Sequence, residues 1–171
     1  MTLAGVGGAF GAREDLSLHV HLCLLALRTG RPVKMVYGRE ESFHGHVHRH
    51  PAKLWYRHHA AADGTLIRVE ARLLFDGGSY ASSSGAVIAN ATCFAAGPYR
   101  VPSADVEGVV VRTNNPPCGA MRGFGAVQTC FAPAAQLARL ALALGMEPVA
   151  LRLNGWDPWI PFSYDFNGLA Q

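Results

Sequence analysis

Residues 114–128 read Asn-Asn-Pro-Pro-Cys-Gly-Ala-Met-Arg-Gly-Phe-Gly-Ala-Val-Gln, a loop of prolines and glycines that runs directly into an apolar helical pattern. The prolines fix their own φ angles, and the glycines permit positive φ and close backbone approach, so this loop can lie tightly against a bulky group. Apolar residues then recur at three-and-four spacing up to Gly145, which predicts a helix over about 126–144. The N–H groups at the start of that helix, together with Arg122, form a candidate site for an anion or an oxo group. The alternative is an ordinary loop-to-helix connection with a surface arginine.

A second glycine-rich segment near the start of the chain, Gly5–Glu14, has the same design. Apolar residues with helical spacing follow it and stop before Gly30 and Pro32, which predicts a helix over about 15–28. The segment does not satisfy G-x-G-x-x-G and no G-K-[ST] follows it, so a dinucleotide fingerprint and a P-loop are poor explanations. Taken alone, such a glycine run is typical of a tight turn.

The rest of the chain has a mixed pattern, α/β or α+β, with no internal repeat and no low-complexity linker. Residues 86–96 are apolar, but their secondary structure is ambiguous. Asp63 and Gly64 mark a turn between two strand patterns. The predicted strands are 33–37, 54–59, 66–75 and 106–112. This organisation predicts one domain or part of one.

The composition is typical of a soluble globular protein. Half of the 171 residues are hydrophobic, the formal net charge is only +3, and no apolar run approaches membrane-spanning length. The charge is small and scattered, which argues against nucleic-acid binding. The first residues lack a basic segment followed by an apolar core, so a cytoplasmic location without a membrane partner is expected.

The cysteines show no C-x-x-C pair, so neither a zinc knuckle nor an iron–sulfur ligand set is predicted. We expect reduced thiols that lie mostly in the core. The four positions are Cys23, Cys93, Cys118 and Cys130.

The two loop-then-helix segments, in their order and approximate separation, resemble the molybdenum-binding subunit of the xanthine dehydrogenase and aldehyde oxidase family. That family's G-G-x-F-G-x-[KR]-E loop is similar to Gly7–Glu14, and its A-x-R-G-F-G-x-x-Q loop is similar to Ala120–Gln128. Segments between the loops also resemble family segments, namely 30–34, 39–41, 49–51, 76–80 and 97–102. The resemblance covers about residues 5–155. Within the family, the chain resembles the molybdenum subunits of bacterial xanthine or hypoxanthine dehydrogenases. Residues 156–171 depart from the family's usual continuation and are interpreted as a divergent or truncated tail.

The resemblance implies a fold, an activity and partners. The fold would be part of the molybdopterin-binding domain, and the cofactor molybdenum–molybdopterin in its cytosine dinucleotide form. The activity would be hydroxylation of xanthine or hypoxanthine with oxygen from water, the electrons passing to 2Fe-2S and FAD groups on partner domains or subunits of a dimeric complex. Two alternatives stay open: another N-heterocycle or an aldehyde as substrate, such as nicotinate or isoquinoline, and a non-catalytic truncated remnant.

The length of the chain bears on activity, because the family's subunit is several times longer than 171 residues. The resemblance implies that a glutamine contacting the cofactor lies before residue 1, and that the glutamate acting as base lies far beyond residue 171. No catalytic residue is therefore assigned within this stretch. The chain is interpreted as a fragment, and we expect it to be inactive in isolation.

The cofactor-binding residues implied by the resemblance lie in both loops. Gly8, Phe10 and Gly11 match the loop that packs beside the molybdenum centre. Arg122 and Gly123 match the second cofactor loop, and Phe10 and Arg122 are the residues assigned next to the metal. Carbon monoxide dehydrogenases of this superfamily carry a cysteine where Gly123 stands, so that chemistry is not expected.

Three residues are candidates for substrate contact. Phe124 matches an aromatic that packs against a flat heterocycle, which suits the face of a phenyl ring. Glu14 matches a glutamate that hydrogen-bonds a purine, although a carboxylate there could merely favour the first turn of a helix. Asn90 stands where purine oxidases have an arginine. An asparagine can donate and accept hydrogen bonds but carries no charge, which puts a simple xanthine orientation in doubt.

Four alternating histidines would share one face of an extended strand, and such a face could bind a metal. They are His44, His46, His48 and His50. We favour a polar, partly solvated strand or loop, because the resembling family holds its molybdenum through the pterin dithiolene. His58 and His59 precede a turn and are expected to be exposed, and Asp15 is expected to cap a helix.

Overall fold

A computed structural model of the chain describes residue 5 and residues 7–156. This part of the chain contains five helices and three strands. In order they are α1 (His19–Thr29), α2 (Arg39–Gly45), β1 (Ala52–Ala60), β2 (Leu66–Gly78), α3 (Ser84–Cys93), β3 (Ser103–Arg112), α4 (Ala126–Leu144) and α5 (Pro148–Gly155).

The three strands form one mixed sheet in the order β1-β2-β3. β1 pairs antiparallel with β2, and β2 pairs parallel with β3, which follows it after α3. Side chains of β2 alternate, so that Leu73 and Phe75 are buried on one face of the sheet. Arg72 lies on the opposite face, where its Nη2 is 3.0 Å from Oδ2 of Asp105. The prediction of a mixed α/β fold is confirmed.

The core has two parts, and both involve the sheet. The first lies between β2 and α3 and contains Ala71, Leu73, Phe75, Val87, Ala91 and Ala95. The second joins the start of β2 to α4 and α5, and contains Leu66, Leu137, Ala141 and Leu151. Helices α3 and α4 each contact the sheet and also contact one another, and Gly125 at the start of α4 lies against Val87 and Ala91 of α3. This packing fixes the position of the loop that precedes α4.

Several predicted element bounds require correction. Residues 33–37 form no strand, since they pair with no other described segment and a strand needs a ladder partner. The ambiguous residues 86–96 lie mainly in helix α3, and α1 begins at His19, later than residue 15. Helices α2 and α5 were not predicted. Of the tail at 156–171, only Trp156 falls within the described residues.

The histidine and cysteine predictions also change. His44 lies in helix α2, so the alternating histidines do not share one strand face. Within the described part of the chain, no three side chains among His, Cys, Asp and Glu come together as metal ligands. Cys118 is buried, but Cys23 and Cys130 are exposed, so the expectation of core thiols is wrong for these two. α1 buries none of its residues, which explains the exposure of Cys23.

The expectation that no apolar run approaches membrane-spanning length is not met, since helix α4 is, within the described residues, long and apolar enough to cross a membrane. Length and composition alone are weak evidence, because core helices of soluble proteins share both. The side chains of Leu137 and Ala141 lie in the core of the domain. The absence of a membrane partner stays a prediction.

His58, expected to be exposed, is a half-buried residue of β1 and stacks on Tyr56 with ring centroids 6.1 Å apart. Neither of its ring nitrogens has a hydrogen-bond partner among the described residues. Burial, with a smaller contribution from His59, lowers the pKa of His58 from 6.5 to about 4.

This burial makes stability depend on pH. Unfolded His58 binds a proton near pH 6.5, whereas folded His58 binds one only near pH 4, so the stabilisation is complete above pH 6.5 and is lost towards pH 4. After a discount for solvent exposure, the contribution of His58 to the free energy of unfolding falls by about 1 kcal/mol between about pH 7 and about pH 5. Urea unfolding at both pH values should show that His58→Gln removes this loss and that His59→Gln keeps it. An identical loss in His58→Gln and the unmodified protein would contradict the assignment.

Candidate functional site

The two glycine-rich loops, more than a hundred residues apart in sequence, lie against each other. A Cβ at Gly11 would lie 2.9 Å from the carbonyl carbon of Ala120 and 3.0 Å from the amide nitrogen of Met121. Gly11 also has a φ of 87°, which side chains rarely permit. Only glycine therefore allows the two backbones to approach this closely.

A cavity of about 390 Å³ opens at this junction. Its lining comes from both loops and contains most of the residues that the sequence assigned to the site. The lining residues are Phe10, Gly11, Glu14, Met121, Arg122, Gly123 and Phe124. Gly8 lies just outside, where a Cβ would come within 3.1 Å of the Phe10 ring. Met121 was given no role from sequence, since nothing in its chemistry distinguishes it from a core methionine.

The two aromatic residues of the cavity have strained backbones. Phe10 and Phe124 have φ of 51° and 44°, a region that costs a non-glycine residue on the order of 1–3 kcal/mol. Phe10 is 68% exposed, whereas Phe124 packs against the core between β2 and α3. Such strain persists only where surrounding contacts fix the backbone, and it clusters at functional sites. The cavity thus has one anchored and one exposed aromatic ring.

The cavity lining carries one cation, Arg122, and one carboxylate, Glu14. The guanidinium carbon of Arg122 lies 5.4 Å from the centroid of the Phe10 ring, a cation–π contact. The ion pairs among the described residues join side chains of the sheet, and neither Arg122 nor Glu14 takes part in one. No described side chain of opposite charge therefore neutralises either group, and each can pair with a bound molecule.

The loop around Arg122 is held through two of its carbonyl groups. Arg49 Nη2 donates to the carbonyl of Arg122 at 2.5 Å, and Asn90 Nδ2 donates to the carbonyl of Phe124 at 2.7 Å. The Gln128 side chain accepts from Arg49 at 3.4 Å and donates to the carbonyl of His50 at 3.1 Å. Asn90, predicted to contact substrate, is not among the cavity-lining residues, and that role stays a prediction. Arg49 was missed because no local motif connects it to a loop 73 residues away.

The first loop is held by residues outside the cavity. The His46 ring donates to the carbonyl of Ala12 at 2.8 Å. Asp15 accepts from the hydroxyl of Ser82 at 2.8 Å, and a Cβ at Gly119 would meet both side chains. The prediction that Asp15 caps a helix is wrong, because α1 begins four residues later and its N-cap is Leu18. Asp15 instead links the first loop to the segment before α3.

These observations define a mixed α/β domain with a candidate ligand site, a cradle formed by the two glycine-rich loops, in which Arg122 has no ion-pair partner among the described residues. Residues 1–155 match the molybdopterin cofactor-binding domain family, and the chain belongs to that family. Its relatives are molybdenum-dependent oxidoreductases.

Two relatives and one solved structure show how much of such proteins the chain spans. It is 44% identical over 150 residues to the nicotinate dehydrogenase large molybdopterin subunit of Eubacterium barkeri, covering 88% of this chain and 35% of the relative. It is 40% identical over 147 residues to a probable xanthine dehydrogenase subunit of Bacillus subtilis, covering 86% of this chain and 20% of the relative. The aldehyde oxidoreductase of Desulfovibrio gigas superposes with a TM-score of 0.83 at 31% identity, covering 89% of this chain and 17% of that one. The chain thus spans about a third or less of each.

The residues present fit a molybdopterin group. At Gly11 the missing side chain lets the backbones of the two loops meet, and the cavity of about 390 Å³ beside that contact offers space to a bulky ligand. Arg122 offers a permanent cation to an oxygen-rich group. The roles of Gly8, Phe10, Gly11, Arg122 and Gly123 in holding the cofactor stay predictions.

Proposed function

We propose that the chain forms the part of a molybdenum hydroxylase in which the two cofactor loops meet, and that the enzyme oxidises a planar nitrogen heterocycle, xanthine or hypoxanthine. The observation that carries this proposal is the cavity, which combines an anchored aromatic ring with one carboxylate and one cation. Molybdenum–molybdopterin, in its cytosine dinucleotide form, supplies the two-electron oxidation when bound. The enzyme is a cytoplasmic, dimeric complex whose 2Fe-2S and FAD groups accept the electrons.

The chain's own residues bind and orient the substrate. The anchored ring of Phe124 forms a wall against which a flat heterocycle stacks. The Glu14 carboxylate accepts a hydrogen bond from a ring N–H, and Arg122 stabilises negative charge at the opposite loop. Because the loops are held from outside the cavity, these groups are preorganised and need little rearrangement on binding.

A second candidate substrate is a pyridine carboxylate such as nicotinate. The observation that favours it is Asn90, which supplies no charge and whose amide N–H is engaged with the carbonyl of Phe124. The likeness to a nicotinate dehydrogenase subunit also supports it. A pyridine carboxylate would pair its own negative charge with Arg122.

The test is purification of the chain from its native host with whatever copurifies, followed by molybdenum and pterin analysis. Dye reduction is then measured with xanthine, hypoxanthine, nicotinate and benzaldehyde. Reduction by a purine supports the proposal, and reduction by nicotinate alone supports the second candidate. A metal-free preparation without partners, inactive on all four compounds, would overturn both.

Glu14→Gln keeps the shape of the side chain but removes its charge. We expect kcat/KM for the substrate to fall about 10- to 100-fold, which is about 1.4–2.7 kcal/mol of lost transition-state stabilisation. The matched control is Glu40→Gln, since Glu40 is an exposed carboxylate in the first turn of α2 and does not line the cavity. An unchanged kcat/KM in Glu14→Gln would contradict the substrate role of Glu14.

A further inference from the structure

Two side chains that do not line the cavity hold the backbone of residues that do. Arg49 precedes β1 and donates to the carbonyl of Arg122, while Asn90 lies on α3 and donates to the carbonyl of Phe124. The two carbonyls are two residues apart in one loop. The loop is thus bound from two separate elements.

The loop needs such support because three consecutive residues have positive φ. Gly123, Phe124 and Gly125 have φ of 90°, 44° and 95°. A phenylalanine in this region is strained, so its conformation persists only where the surroundings determine it. The Asn90 donor is one of those determinants, since it fixes the peptide group between Phe124 and Gly125.

Asn90 is well placed for this role because α3 is anchored in the core. Val87, three residues before Asn90, and Ala91, directly after it, are fully buried, and both pack against Gly125. The part of α3 that carries Asn90 is therefore fixed by packing, and the Asn90 side chain is held by its bond to the carbonyl of Phe124. Arg49 is fixed independently, through its bond to Gln128 in the first turn of α4.

We propose that Asn90 and Arg49 are positioning residues, which clamp the carbonyls of Phe124 and Arg122 and thereby hold the aromatic ring and the guanidinium at the cavity. Asn90 acts on the substrate through Phe124 and not by contact. The part of this proposal that concerns substrate rests on the proposed function, whereas the clamp itself is a property of the fold.

The test is Asn90→Asp in the purified holoenzyme, because aspartate keeps the shape but replaces the donor with an acceptor facing a carbonyl. We expect hydrogen exchange of the amides in 121–126 to rise about five- to tenfold relative to those of β2, and KM for the substrate to rise by a similar factor. Arg49→Lys, which loses the forked donor, should accelerate exchange in the same segment. The matched control is Asn114→Asp, since Asn114 is exposed and lies outside the cavity lining.

The outcomes separate the two roles. A direct substrate ligand at Asn90 would change KM and leave loop exchange unchanged, which would overturn the proposal. Faster loop exchange with an unchanged KM would also overturn it, because the clamp would then not position the ring. If the unmodified holoenzyme reduces no dye with any heterocycle, the proposed function fails, and the exchange result alone decides on the clamp. If Asn90→Asp does not fold, Arg49→Lys decides by the same two measurements.

Discussion

Replacement of Gly125 by alanine is expected to destabilise the protein by about 3–5 kcal/mol. Gly125 is the N-cap of α4 with a φ of 95°, and a Cβ there would lie 2.4 Å from the carbonyl oxygen of Val87 and 3.0 Å from the Cβ of Ala91. Both atoms belong to α3, which is packed in the core and cannot give way. The variant must therefore separate α3 from α4 or lose the start of α4. Chemical denaturation with a single probe of helix content measures the loss.

The matched control is Gly145→Ala at the other end of the same helix. Gly145 also has a positive φ, 66°, but nothing lies within 4 Å of a Cβ built on it. Its replacement should cost only the conformational penalty of a left-handed residue, about 1–2 kcal/mol. Equal losses in the two variants would show that backbone conformation, and not contact with α3, explains the requirement at Gly125.

Gly11→Ala is expected to lower molybdenum retention by at least about tenfold while changing the unfolding midpoint little. A methyl group at Gly11 would be forced into the backbone of Ala120 and Met121, so the two loops must move apart. No residue of the first loop belongs to either core cluster. The substitution is therefore expected to weaken molybdenum binding and not the packing that sets the unfolding midpoint. Molybdenum per chain in the holoenzyme, measured beside the thermal midpoint, separates these effects.

Gly30→Ala provides the control for this variant. Gly30 has a φ of 61°, ends α1, and has nothing within 4 Å of a built Cβ. It should retain molybdenum like the unmodified protein despite its similar backbone strain. Full retention in Gly11→Ala would contradict the interpretation of this junction as the cofactor cradle.

The parts of the fold that the sequence predicted well are those with local signals. Helix α4 was predicted over 126–144 and occupies Ala126–Leu144, because Gly125 and Gly145 delimit an apolar pattern of helical period. The strand predictions at 54–59, 66–75 and 106–112 all lie within observed strands for the same kind of reason.

The parts that were wrong depend on partners distant in sequence. Residues 33–37 have strand-like composition, but no described segment pairs with them. The N-cap of helix α2 is Gly38, whose amide donates to the Glu41 side chain at 2.7 Å. The usual serine or threonine at such an N-cap is absent, so the sequence signal was weak. The parallel pairing of β2 with β3 has no local signature at all.

In the candidate site, too, residues that belong to a local motif were predicted and residues with distant partners were not. The loop motifs predicted Phe10, Glu14, Arg122 and Phe124, and the structure brings all four to one cavity. The bonds from Arg49 and Asn90 to the second loop were not predictable, because they join side chains to backbone carbonyls 73 and 34 residues away. The local motifs contain the residues that line the cavity, whereas the residues that hold the second loop in place lie outside those motifs.

The contact between Gly11 and Ala120 has a consequence for biosynthesis. The first loop leaves the ribosome before more than a hundred further residues have been added, which takes roughly 5–20 s at ordinary elongation rates. During that interval the nascent chain has no cradle, although the hairpin of β1 and β2 can already form. A site built from both loops can therefore form only after the segment up to the start of α4 has left the ribosome and folded, so any ligand held at this junction would bind after that step.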